Sequence, residues 1–248
     1  MPQDERRTLG EHLDELRYRI FLCLGGVLLV LIICIVFVNP VTEFWTRPIR
    51  KALEGKELLA LDASEIIVTD LEICLMTAVL LAVPFIVYQM WCFVSAGLKP
   101  NERRLGRIFI PLSLLLFAAG ALTWYGFLQG IAVKFLTNSR GRSWLVPMPS
   151  YGNFAAFSIK MVLMMGLAFQ LPLIMMIVEK LHIVRPEQFA RYRRHAVLAI
   201  FVVAMILTPP DVISQCGMAI PMVVLYELGI WLGRISFIAG GHKGETAS

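Results

Sequence analysis

Apolar residues in this chain fall in long unbroken runs. No charged residue occurs in 20–38, 73–98 or 108–133. A helix of about 20 apolar residues crosses the roughly 30 Å hydrocarbon core of a bilayer, so each run is a candidate span. Backbone in lipid must satisfy its own hydrogen bonds, which selects helices, and the alternating pattern of a membrane barrel is absent. Residues 161–178 are also uncharged, and this span is expected to begin near Phe154. Two shorter runs follow, 196–210 and 212–226, parted only by Asp211. The pattern predicts an all-α integral membrane protein with six spans, near 20–38, 72–95, 107–127, 154–178, 196–210 and 212–233. A single membrane domain is expected over 1–248.

The last two spans are expected to be short. Fifteen residues make a helix of about 22 Å, which must thin the bilayer or draw polar groups inward. Pro209, Pro210 and Asp211 stop the fifth span, and the sixth contains Pro221 and Glu227. Amphipathic elements flank the runs. Leu9, Leu13, Leu16 and Ile20 make a stripe on a helix expected within residues 1–19, on the cytoplasmic face. Val41, Phe44, Trp45, Ile49 and Leu53 mark a second helix, bent or started by Pro48. Phe127, Ile131 and Phe135 mark a third, so the last two elements would cap the outer surface. Trp45, Trp124, Tyr125, Trp144 and Tyr151 are placed as interfacial aromatics.

Composition agrees: 58% of the 248 residues are hydrophobic, 17% are charged, and the mean hydropathy is +0.71. Charge adds orientation. Fifteen of the 23 Lys and Arg lie in 1–19, 95–107, 179–195 and 234–248, against seven in the alternate loops. By the positive-inside rule both termini are cytoplasmic. The net charge of +5 then reflects topology and anionic headgroups, and nucleic acid is not an expected partner. The first apolar run is too long for a cleavable signal, and Glu11, Asp14, Glu15, Arg17 and Arg19 are too many charges for a twin-arginine signal peptide. Five cysteines without a C-x-x-C pair read as small buried hydrophobes.

No nucleophile elbow, H-E-x-x-H, P-loop or dinucleotide fingerprint is present, so neither catalysis nor a cofactor is expected. The polar residues near membrane depth carry more. Glu227 is a carboxylate inside a span, costing about 2.5–3.5 kcal/mol on insertion scales; it is either functional or an interfacial residue satisfied by Arg234. Gln170, ahead of Pro172, lines a polar cavity or bonds two helices together. Thr208 and Gln215 flank the Pro-Pro-Asp break and hold a partner helix or cap free backbone groups. Glu15 and Glu102, each among arginines, are by themselves ordinary solvated carboxylates.

Taken together, these segments resemble the TatC family, the multispanning subunit of the twin-arginine protein translocase. His12-Leu13-Asp14-Glu15-Leu16-Arg17 is similar to the family's H-L-x-E-L-R motif, and Glu102-Arg103-Arg104 to its E-R-R loop motif. Tyr88-Gln89-Met90-Trp91-Cys92-Phe93, Leu207-Thr208-Pro209-Pro210-Asp211 and Ser214-Gln215 also match, in order, over about residues 8–236. The resemblance implies a receptor for Arg-Arg signal peptides at Glu15 and Glu102, with Arg17 beside them and Phe93 offering apolar burial. It implies single-span TatA and TatB subunits as partners, docked at a polar patch that includes Met205, Thr208 and Gln215. Further copies of this chain within one complex, membrane lipid and proton-motive-force-driven export of folded proteins are implied too. Asp211 and Pro48 match positions of less settled role. Many relatives carry Glu at position 170, so Gln170 is carried over only as a polar, partner-contacting residue. The rival class is a small-molecule or ion transporter, which would want charges converging at the midplane and an internal repeat. A purely structural anchor is a third reading.

Overall fold

The structure is a computed structural model that describes residues 9–53, 59–60, 62–96, 106–137, 150–180, 184, 186–208 and 211–241. These form helices throughout, apart from one isolated bridge between Leu59 and Ser150. The first, α1 (Leu9–Val36), runs 28 residues without interruption. The separate amphipathic helix expected within 1–19 is therefore the first two turns of a continuous span, because nothing between Leu16 and Phe21 breaks a helix. Its stripe does not define a buried face: Leu13 and Ile20 are exposed.

A turn at Phe37 leads into α2 (Val38–Ala52), an amphipathic helix. The long α3 (Ala63–Ala96) packs antiparallel on α1: the Cys74 thiol donates to Cys34 O at one end, and Arg19 reaches Gln89 at the other. Then come α4 (Gly106–Thr123), a π-helical turn (Trp124–Leu128) and α5 (Gln129–Thr137). The fourth expected span is two helices, α6 (Tyr151–Ala168) and α7 (Leu171–Lys180), parted by a turn at Phe169–Gln170 just before Pro172. Last are α8 (Pro186–Arg191), α9 (Arg193–Leu207) and α10 (Val212–Gly241).

Five stretches are long and apolar enough to cross a membrane: Leu13–Val36, Ser64–Phe93, Phe109–Thr137, Tyr151–Glu179 and Val212–Gly233. The 15 residues of α9 fall short of that length, as the sequence predicted. The expectation of a short last span is corrected, since α10 is a 30-residue helix. Glu227 does not end it, because the carboxylate finds a partner across the hairpin and the helix continues past it.

The core lies between α3, α4, α6, α7 and α10. Gly120 of α4 and Gly166 of α6 allow close approach: a Cβ at Gly120 would stand 2.5 Å from Met165 O, and one at Gly166 2.6 Å from the Phe117 ring. Small residues at helix crossings serve this purpose in membranes, where burial from lipid gives no hydrophobic drive. The apolar side chains of α1 remain largely uncovered, Leu24, Leu28, Leu29 and Val36 among them.

The end that carries α2, the outer end in the orientation expected from the charge bias, is tightly built. Trp45 and Trp124 are 2% and 0% exposed, so both expected interfacial aromatics are core residues. The Trp45 indole donates to Thr77 Oγ1 at 2.7 Å, which removes the usual reason for tryptophan to sit at water. Ile49 and Leu53 of α2 pack on Val133 of α5 and Phe154 of α6. The α5 face is the reverse of the expected one: Phe127 and Ile131 are exposed, while Gln129, Ala132, Val133 and Thr137 are buried.

Candidate functional site

Three sets of polar residues interrupt this apolar bundle. At the end where α1 begins and α3 finishes, two Arg19 nitrogens, Nε (3.1 Å) and Nη2, donate to Oε1 of Glu15, one turn earlier on the same helix. Arg19 Nη1 also donates to Oε1 of Gln89 on α3 at 3.0 Å, and Gln89 is buried. The Glu15 side chain is only 17% exposed. Farther along α3, Trp91 stacks on Phe109 of α4 with ring centroids 5.5 Å apart, and Phe93 lies in the last turn. Arg17 is exposed, its guanidinium 5.9 Å from the Phe21 ring centroid. Glu102 lies outside the described residues.

The second set surrounds the α9–α10 hairpin. Asp211 Oδ1 accepts the Ser214 N–H at 2.7 Å and so N-caps α10, as a carboxylate suits the positive end of a helix. Thr208 is buried and its hydroxyl donates to Ala204 O at 2.9 Å, ending α9. Gln215 Nε2 donates to Phe201 O at 3.3 Å, tying the first turns of α10 to the side of α9. Phe201, Met205 and Thr208 fall on one face by spacing, and Met205 is 59% exposed there. Toward the other end of the hairpin, Glu227 pairs with Arg193 of α9 at 3.0 Å, and the Tyr226 hydroxyl donates to Phe189 O. Arg193 thus holds the carboxylate for which Arg234 was the expected partner; the Arg234 side chain lies outside the described residues.

The third set links helices. Gln170 and Ser113 bond reciprocally: the Ser113 hydroxyl donates to Gln170 Oε1 at 2.6 Å, and Gln170 Nε2 donates to Ser113 O at 3.0 Å. The amide therefore joins the α6–α7 turn to α4. Pro48 sits inside α2, about one turn before its end, and so does not start the helix. Proline has no N–H to give the carbonyl four residues back, here that of Phe44. The Tyr125 hydroxyl donates to Phe44 O at 2.8 Å instead, and the Phe44 and Tyr125 rings stack 4.9 Å apart.

Sequence reasoning missed Arg19, Gln89, Ser113 and Tyr125 as members of these sets. The spacing of Glu15 and Arg19, four apart on a helix, was a readable signal. Gln89 and Ser113 stood out only as polar residues within uncharged runs, and Tyr125 gave no sign of its partner.

A family model described as Sec-independent protein translocase protein (TatC) matches residues 11–221. The chain belongs to the TatC family. Members named Sec-independent protein translocase protein TatC include one from Aquifex aeolicus, 36% identical over 92% of this chain and 95% of that one. Another, from Carboxydothermus hydrogenoformans, is 35% identical over 94% and 95%. The Escherichia coli K12 member is 30% identical over 99% of this chain and 95% of its own. A crystal structure of a twin arginine translocase receptor, TatC, superposes with a TM-score of 0.83 at 33% identity, covering 92% of this chain and all of that one. TatC proteins are components of a protein translocase and not enzymes, and this member is a multi-pass protein of the inner membrane.

Proposed function

We propose that this chain is the receptor and core subunit of a twin-arginine translocase, binding Arg-Arg signal peptides of folded precursors at its cytoplasmic face. One observation carries the reading: Glu15 already holds a guanidinium. Two nitrogens of Arg19 converge on one oxygen of that carboxylate, and buried Gln89 steadies the same side chain. A site that orients a carboxylate toward an arginine fork suits the forks of an incoming signal, which lysine does not reproduce. An exposed ion pair contributes about 0–1 kcal/mol, so the apolar part of the signal must add burial, and Phe93 beside Trp91 offers a surface for it. Glu102 supplies the second carboxylate and Arg17 flanks the entry.

In this reading the chain is one membrane domain with six crossings, α9 being the short fifth, and both termini are cytoplasmic. The 15-to-7 bias of basic residues supports that orientation. TatA and TatB dock near Met205, Thr208 and Gln215 at the α9–α10 hairpin. Gln170 adds to that contact from the α6–α7 turn. Asp211 maintains the hairpin, Pro48 the outer helix, and Glu227 the Arg193 pair. Several copies of the chain share a complex, and the proton-motive force drives export.

The test uses photo-crosslinkers at positions 15 and 102. They should capture an Arg-Arg signal peptide and largely ignore its Lys-Lys version; equal capture, or none, refutes the receptor assignment. Glu102→Ala should stop export of twin-arginine substrates while Sec-dependent secretion continues.

A further inference from the structure

A groove of about 400 Å³ runs along α10 beside the start of α9. Val224, Leu228, Ile230 and Trp231 give it apolar walls, and the Arg193–Glu227 ion pair crosses it. Val224, Leu228 and Trp231 share one face by spacing, and Trp231 is 62% exposed. Charge collects at the same place. Arg191, Arg193 and Arg194 occupy four consecutive positions with Tyr192, all of them exposed. The carboxylates of the neighbouring segments are Glu227 on α10, which pairs with Arg193, Glu187 on α8 and, close to Glu187, Glu179 at the end of α7. The first turn of α9 contains no acidic residue, although the helix dipole adds positive charge there.

We infer that this groove is a binding site for an anionic phospholipid, with the phosphate on Arg193 and Arg194 and an acyl chain along Val224 toward Ile220. Basic pockets between membrane helices hold anionic headgroups in this manner. Trp231 lies one turn beyond Glu227 along α10, on the side away from the bilayer centre, where an indole belongs at headgroup level. The site also accounts for the short α9: a phosphate held at Arg193 sets the headgroups at the level where that helix begins. A second membrane helix would fill the apolar walls equally well, but it would bring no anion to the exposed Arg191 and Arg194.

The experiment is native mass spectrometry of the purified full chain with phosphatidylglycerol or phosphatidylcholine of identical acyl chains. Phosphatidylglycerol should be retained over phosphatidylcholine, and Arg194→Gln should weaken that retention about fivefold. Arg194→Gln leaves the Arg193–Glu227 pair intact, so its effect does not depend on a damaged hairpin. Arg50→Gln, on the outer helix, should change nothing. Excess inorganic phosphate should not displace the lipid. Equal retention of both lipids, or an unchanged preference in Arg194→Gln, overturns the site. A photo-crosslinker at Val224 that captures protein and never lipid in phosphatidylglycerol vesicles also overturns it.

Discussion

The two ends of this bundle are built differently. At the outer end, polar groups are spent on the protein's own architecture. Trp45 donates to Thr77, Tyr125 to Phe44 O, and Tyr151 to Asp70 at 2.6 Å, while Glu65 receives the Ser150 hydroxyl and the Gly152 N–H at the start of α6. Trp45 meets both Phe44 and Tyr125 edge-on. At the inner end, α1 packs chiefly on α3, and the tie that the polar groups make between them is Arg19 to Gln89. The outer end is a scaffold held by many mutually supporting contacts. The inner end presents charged side chains bonded mainly to one another and to α3, with exposed Arg17 beside them.

That contrast is breakable. Trp45→Ala deletes a fully buried indole and should cost about 3–5 kcal/mol, read as lost thermal stability in detergent. A loss below about 1 kcal/mol would remove the outer end from its role as scaffold. Gly120→Ala drives a Cβ against the Met165 backbone, which cannot rotate away, and should cost about 1–3 kcal/mol by the same assay. Tyr125→Phe strips the Phe44 carbonyl of its donor and should cost about 1 kcal/mol. In a Pro48→Ala background that cost should shrink, because the alanine N–H now serves the same carbonyl; an unchanged cost breaks the proposed exchange. Arg19→Gln, at the inner end, should cost no more than about 0.5 kcal/mol of stability. Its effect should appear instead in signal-peptide capture at position 15, and a large stability loss would erase the distinction between the two ends.

Much of this was legible in the chain because hydrocarbon imposes a simple code. Uncharged runs marked the spans, and the Pro-Pro-Asp break placed the α9–α10 turn. What the code lacks is phase and partnership. Gln129 and Val133 are buried while Phe127 and Ile131 are exposed, and the apolar spacing of the sequence did not announce which side would be covered. Glu227 looked like a helix end because its partner, Arg193, is 34 residues away. Pro48 looked like a bend or a start because the donor that replaces its missing N–H lies on another helix. Glu15 was readable as a site residue only through its motif, since its neutralising Arg19 is equally at home in any helical ion pair.

The unequal arms of the final hairpin have a consequence for assembly. If α9 is the short fifth crossing proposed above, a bilayer meeting its 15 residues must dimple inward there, while the 30-residue α10 beside it imposes no such demand. A dimple stores elastic energy in the lipid around its rim. Two short helices sharing one dimple deform less membrane than two that each make their own, so the proposed single-span partners, if of matching length, would be drawn to α9 before any side chains meet. Met205 and Gln215 would then select among helices that the lipid has already gathered.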